Sequence, residues 1–256
     1  MNRSEILALF DRQMRSDPAP EPGVRIERVG RIVRAIGPED CILFSDLGTD
    51  QIEPAILEQV SHFRSSGRPL EWKVYSHDRP PELRGRLIEH GFVPDETESL
   101  MIQDLGARSD APGEISGLEI RRVTDLAGLR EAAAVSSKAF GKEDLERMLQ
   151  FEGRLTDPTF GLFIAYLDGA PVSAGRVELP KDRSFASIWG GGTAPEFRHR
   201  GIYRAMVAAR AQLARDSGHA YLAVEALETS RPILQRLGFV KMADVTGFVL
   251  RPAVSG

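Results

Sequence analysis

The chain's best candidate for holding a charged ligand is the run Trp189-Gly190-Gly191-Gly192-Thr193-Ala194-Pro195-Glu196-Phe197-Arg198-His199-Arg200-Gly201-Ile202-Tyr203-Arg204. A strand predicted over Phe185–Trp189 gives way to glycines and a basic loop. A helix then begins near Gly201 and runs from Ile202 to about Ser217, with Gly218 as its stop. The first turn of a helix has N–H groups without intrahelical partners, at the positive end of the helix dipole. That arrangement suits a phosphate or a diphosphate. Gly201 lets such a ligand approach the backbone, and Arg198 and Arg200, flanking His199, add charge-assisted hydrogen bonds. Pro195 cannot donate to a strand ladder, so the strand ends before it.

Composition sets outer limits on the chemistry. The chain has 256 residues, a formal net charge of -4 and 42% hydrophobic residues, an ordinary globular balance. That charge argues against a general nucleic-acid or anionic-membrane binder. One cysteine, Cys41, excludes an internal disulfide and reads as core, and no CxxC or HExxH pattern offers a metal cage. No apolar run reaches the roughly 20 residues that span a bilayer. The mixed segment Met1–Arg15 is unlike a signal peptide, and a cytoplasmic protein is expected.

Two connectors divide the chain. Ser16–Gly23, with three prolines, stops an amphipathic segment over Ser4–Met14. Gly106–Gly113 is small and polar and separates the halves, giving expected domains at 1–105 and 118–256 with a linker at 106–117. The halves share an order of elements. The N-terminal half reads strand Ile42–Ser45, helix Ile52–Ser65, stop Gly67, strand Leu70–Tyr75, helix Glu82–Glu89, Gly91-Phe92-Val93 and strand Leu100–Ile102. The C-terminal half reads strand Phe185–Trp189, the long helix, strand Tyr221–Ala226, helix Ser230–Leu237, Gly238-Phe239-Val240 and strand Gly247–Leu250. The repeated Gly-Phe-Val, with the next strand a similar distance on, points to a duplication.

The segment from Arg198 resembles the acyl-CoA-binding signature of the GNAT acyltransferase superfamily, Gln/Arg-x-x-Gly-x-Gly/Ala. Arg198 and Gly201 match it, and Tyr203 stands in the last position. Of the Gln/Arg-x-x-Gly runs in the chain, this one lies between a strand and a long helix, where the pattern acquires its physical meaning. Thr193–Met206 and Ser230–Phe239 are similar to longer stretches of the family. Leu118–Arg122 and Asp125–Val135 look like its first strand and helix, and Phe163–Val177 reads as a hairpin about Asp168-Gly169. The resemblance thus covers Leu118 to the C-terminus.

The resemblance implies an α/β fold of tandem GNAT-like mixed sheets flanked by helices, with the N-terminal copy degenerate. The strands Phe185–Trp189 and Tyr221–Ala226 would splay to admit pantetheine. Thr193 and Ala194 would meet it through their backbone, and Arg198, His199, Arg200, Gly201, Ile202 and Tyr203 would hold the diphosphate. Acetyl-CoA would be the acyl donor, an amine the acceptor, and no metal would be involved. In the N-terminal half the matching stretch carries Asp46, Asp50 and Glu53, which repel a diphosphate. That half is therefore expected to support, orient or dimerise, so that a homodimer is compatible with it.

Acyl transfer to an amine uses a base and an acid. Relatives place a tyrosine four residues before the glycine of Leu-Gly-Phe, where this chain has Leu234. Glu225, four residues beyond Tyr221 on the same strand face and at its open end, is the expected base, and Tyr203 the available acid. Glu143, Asp144 and Glu146, on a helix expected over Lys142–Gly153, would face a cationic acceptor beside a bend at Ser136–Gly141. The leading reading is an acyl-CoA-dependent N-acyltransferase. The alternative is a non-catalytic acyl-CoA-binding regulatory module.

Overall fold

Apolar side chains at alternate positions of Leu70–Tyr75 bury Leu70, Trp72 and Val74 on one face of a strand, against a helix whose buried stripe is Ile52, Ala55, Ile56 and Phe63. The same logic builds both halves of the computed structural model, which describes residues 1–64, 67–107 and 113–252. Ser65 and the centre of the second connector, 108–112, lie outside the described residues.

In chain order the N-terminal elements are α1 (Arg3–Phe10), β1 (Arg25–Val29), β2 (Ile32–Ile36), β3 (Asp40–Ser45), α2 (Ile52–Arg64), β4 (Leu70–Tyr75), α3 (Leu83–Glu89), β5 (Val93–Pro94) and β6 (Glu98–Asp104). There follow β7 (Leu118–Arg122), α4 (Leu126–Phe140), α5 (Leu145–Leu149), β8 (Phe160–Leu167), β9 (Ala170–Glu178) and β10 (Phe185–Thr193). The last elements are α6 (Ile202–Asp216), β11 (Tyr221–Ala226), α7 (Arg231–Arg236) and β12 (Val240–Leu250).

These elements form two compact units. The first is Met1–Leu100 with Glu225–Arg231 and Lys241–Gly256, and the second is Met101–Val224 with Pro232–Val240. In the first unit β1, β2 and β3 pair antiparallel, β3 pairs parallel with β4, and β12 adds antiparallel to the far edge of β4 from Val245↔Tyr75 to Leu250↔Leu70. In the second unit β7, β8, β9 and β10 pair antiparallel, and β10 pairs parallel with β11. The other neighbour of β11 is β6. Each unit is thus a mixed sheet with flanking helices, in which an antiparallel run, of three strands in the first unit and four in the second, ends in one parallel pair. In each, the strand beyond the parallel pair comes from the opposite half of the chain. The domain boundary expected at 105, with everything after 118 in one domain, differs from this division. The reason is the edge of β4, whose backbone groups need partners and find them in β12.

In the second unit α4 lies on one face, where Leu129, Ala132 and Ala133 pack on Ile164 and Ala174. The other face carries Ile202 and Met206 of α6 against Ala165 and Val172. Asp168 and Gly169 both take positive φ in the turn between β8 and β9, as a two-residue hairpin of this hand requires.

Candidate functional site: the β10–α6 loop

The parallel register of β10 and β11 runs Phe185↔Tyr221, Ala186↔Leu222 and Ser187↔Ala223 and goes no further, although β10 continues to Thr193. Beyond Ser187 the strand is shaped by its glycines. Trp189 pairs with Arg176 and Gly192 with Ala174, so Gly190 and Gly191 together oppose Gly175 in a bulge. Gly190 takes φ +58°, a conformation that a side chain disfavours. A Cβ on Gly191 would lie 3.0 Å from Nη2 of Arg210 and 3.3 Å from Cε2 of Tyr203, both on α6. A Cβ on Gly192 would lie 2.7 Å from Cβ of Ala139, on α4. Adjacent glycines therefore let two helices close on β10 from opposite faces. Ser173 Oγ donates to the carbonyl of Gly192 at 2.8 Å, and Thr193 Oγ1 donates to Ser173 Oγ at 3.0 Å.

The loop beyond opens α6 on two left-handed residues. A short turn over Pro195–Phe197 leads to His199 and Gly201, both left-handed, with φ 64° and 79°. Gly201 caps α6 without any side-chain bond, and the first helical bond is from Ala205 N–H to the Gly201 carbonyl. The amides of Ile202, Tyr203 and Arg204 precede that bond and point out of the helix start. His199 and Arg200 are exposed beside them.

Arg198 sits differently from the expected diphosphate ligand. Its Nε donates to the Thr193 carbonyl at 3.1 Å and its Nη2 to the Ala139 carbonyl at 2.9 Å, so the guanidinium ties the strand end to the end of α4. Ala194 is likewise occupied, its N–H donating to Val172 and its carbonyl accepting from Phe197. The Ala194 N–H is therefore not free for the expected backbone contact to pantetheine. Ile202 is buried, and Tyr203 is half-buried with its ring edge beside Gly191. Burial raises the Tyr203 phenol above its ordinary pKa, and Arg210 opposes that rise.

Glu225 is at no open, solvated strand end. It groups with the first unit, and its side chain is 6% exposed. Lys73 Nζ and Tyr75 OH both donate to its carboxylate. Burial alone would raise its pKa, but Lys73 and the Tyr75 hydrogen bond bring it below the ordinary carboxylate range. The structure therefore does not bring Glu225 and Tyr203 into one unit. Sequence reasoning missed Glu98 nearby. Burial pushes it up to about 7, Glu225 adds to the rise, and Lys73 opposes it. Its position at the start of a strand carried no local signal.

The expected bend at Ser136–Gly141 is the last turn of α4, which ends at Gly141 in the left-handed conformation. The helix expected over Lys142–Gly153 is shorter, Leu145–Leu149 followed by a turn at Glu152–Arg154. Asp144 is buried, accepting from Ser136 Oγ and from Arg147, so it is not offered to an acceptor.

The first unit repeats the parallel strand pair with a different loop after it. Its parallel register also ends after three pairs, at Ile42↔Trp72. The following loop, however, is closed by its own side chains: Gln51 Oε1 accepts from the Gly48 N–H at 2.9 Å, Asp46 pairs with Arg31, and Glu53 pairs with His90.

Comparison with known proteins agrees with this geometry. Residues 126–239 match the model of the acetyltransferase (GNAT) family. A GCN5-related N-acetyltransferase from Kribbella flavida superposes with a TM-score of 0.72 at 17% identity, covering 96% of this chain and 93% of its own. One from Sphaerobacter thermophilus gives 0.64 at 14% identity, covering 89% and 84%. A tandem GNAT protein from the clavulanic acid biosynthesis pathway gives 0.64 at 13% identity, covering 99% and 95%. No curated protein matches the chain. The protein has the GNAT acetyltransferase fold in duplicated form.

Proposed function

We propose that the protein is an acyl-CoA-dependent N-acyltransferase, transferring acetyl from acetyl-CoA to an amine of a small molecule or peptide. The second unit is its donor-binding module and the first a supporting one. The observation that carries this reading is the coincidence, in one strand–loop–helix unit, of a parallel register that stops at Ser187↔Ala223 and a left-handed Gly201 opening the first turn of α6. The amides of Ile202, Tyr203 and Arg204 donate to the diphosphate oxygens, with His199 and Arg200 at the rim and Thr193, Ala194 and Arg198 holding the loop's shape.

The donor is a consumed substrate. A neutral amine attacks the thioester carbonyl carbon, the C–S bond breaks, and the sulfur keeps the electron pair. Tyr203 is the group assigned to give the sulfur its proton, since Leu234, fully buried, stands where relatives place a tyrosine. The nitrogen then releases a proton, which restores the phenol through solvent. Glu225, committed to Lys73 and Tyr75, is given no step. Positioning supplies a large share of the rate, because a bound pair reacts as one molecule.

The test is incubation with acetyl-CoA and a panel of amines, following free thiol. Release that depends on the amine supports the transferase. Binding of acetyl-CoA without turnover across the panel supports the regulatory module instead.

A further inference from the structure

We propose that Arg210 is a positioning residue for Tyr203: it fixes the ring beneath the β10 bulge and stabilises the negative charge left on the phenol when its proton departs. The proposal rests on the transferase reading above only for the use made of that proton. Tyr203 and Arg210 are seven residues apart on α6, hence on one face of the helix. Both converge on Gly191, as the Cβ distances above show. Gly175, across the ladder, is bare for the same reason, since a Cβ there would fall 2.7 Å from Nη1 of Arg210. A guanidinium thus fills the space that two glycines vacate.

Its environment is unusual. Arg210 is 1% exposed. Nε donates to the Met206 carbonyl at 3.0 Å and Nη1 to the Arg176 carbonyl at 3.3 Å, while Nη2 has no hydrogen-bond partner among the described residues. Buried arginines are ordinarily paired with an anion, because an uncompensated buried charge is costly. Among the described residues no carboxylate bonds to Arg210. The charge-bearing groups of the packed elements are few. β10 contributes none, and β9 contributes Arg176 and Glu178, the latter bonded to Arg154. On β8, Tyr166 is bonded to Glu131, and on β7 Glu119 pairs with Arg121 while Arg122 donates to the Phe160 carbonyl. Burial pulls the guanidinium down to about 10, Tyr203 acts to raise it, and Arg176 acts to lower it further. The carboxylate of α6, Asp216, is exposed and accepts from Gln212 Nε2, so a Tyr203 phenolate is the anion that the Gly191-facing side of α6 can supply. A cation held this way acts selectively on the state in which charge has developed, which is the condition for accelerating a chemical step.

The experiment is a 19F NMR titration of protein labelled with 3-fluorotyrosine. Four tyrosines are present, and Tyr203→Phe assigns the resonance. Arg210→Met is expected to move that phenol's titration upward by about 1 pH unit or more, the usual effect of losing a close opposite charge. Arg210→Lys should restore most of the difference, and the other three tyrosines should not move. Arg210→Gln, close in size, serves if Arg210→Met does not fold. On turnover, Arg210→Met should lower kcat at least 10-fold with KM for acetyl-CoA nearly unchanged, again rescued by lysine. An unmoved Tyr203 titration in a folded neutral variant overturns the proposal whatever the activity. A moved titration with no thiol release from the unsubstituted protein would leave the Arg210–Tyr203 coupling intact and overturn the transferase reading alone.

Discussion

Lys73 and Glu225 are 152 positions apart in sequence, yet the ammonium donates directly to the carboxylate. Their side chains are 18% and 6% exposed, so the pair lies almost wholly away from water. Tyr75 donates to the other carboxylate oxygen. Burial acts against both charges, but for Lys73 the combined pull of Glu225, Glu71, Tyr75 and Cys41 overcomes it, and its pKa is raised. A pair of this kind is weak evidence of net stability, yet breaking it from one side leaves a buried charge alone.

Glu225→Gln is therefore expected to destabilise the first unit by about 3–5 kcal/mol. Because the folded pKa of Glu225 is lowered, its stabilisation is complete above the ordinary carboxylate range and is lost as pH falls through the folded value. Thermal melting across that acid window should show the unsubstituted protein losing more stability than the variant. Equal slopes would remove Glu225 from the acid transition.

Glu98 should act with the opposite sign. Its pKa is raised to about 7, so the folded state holds a proton that the unfolded state has released. Stability from this group is present below the ordinary carboxylate range and falls as pH rises to about 7. Glu98→Gln should melt higher than the unsubstituted protein above neutrality and show little difference in acid. A variant that melts lower at every pH would mean that the carboxylate makes an interaction worth more than its desolvation costs.

The two glycines of β10 should differ in their tolerance of alanine. At Gly192 the added Cβ meets Ala139 Cβ at 2.7 Å, an atom fixed to the α4 backbone. At Gly191 it meets the ends of the Arg210 and Tyr203 side chains at 3.0–3.3 Å, which can yield slightly. Gly192→Ala should cost about 1–3 kcal/mol by overpacking, and Gly191→Ala less. Denaturant midpoints check the order.

Acetyl-CoA binding should be confined to the Gly201 loop, at one site per chain by calorimetry. Gly201→Glu puts a carboxylate at a left-handed position in front of the α6 amides and should abolish binding. Gly201→Ala isolates the cost of the backbone strain and of the contact with Ile115, 3.3 Å from the new Cβ. Unchanged affinity in a folded Gly201→Glu variant would exclude the loop as the donor site. Neutralising Asp46 or Asp50 should leave the site count unaltered.

Most repeated elements were legible along the chain. Leu70–Tyr75 and Tyr221–Ala226 have the limits expected of them, and Gly67, Gly218 and Gly238 take the positive φ that their helix-terminating places require. The hairpin of β1 and β2 was missed, although Gly30-Arg31 between Val29 and Ile32 is a recognisable two-residue link. Glycines 190–192 were legible as a break in the strand. That one faces α6 and the next α4 was not, because the side a residue faces depends on where a bulge falls.

The order of residues by itself determined the duplication, the strand–loop–helix unit with its glycine-opened helix, and the acidic character of the N-terminal counterpart. Each of these rests on neighbours within about one turn or one strand, where spacing and side-chain type settle the conformation. Tertiary structure alone decided that β12 completes the edge of β4, that the Arg198 guanidinium ties the Thr193 carbonyl to the Ala139 carbonyl, and that Glu225 lies buried against Lys73. Those outcomes follow from the demand that every buried backbone edge and charge find a partner. The partner that meets it can lie anywhere in the chain, so no local pattern records which one it is.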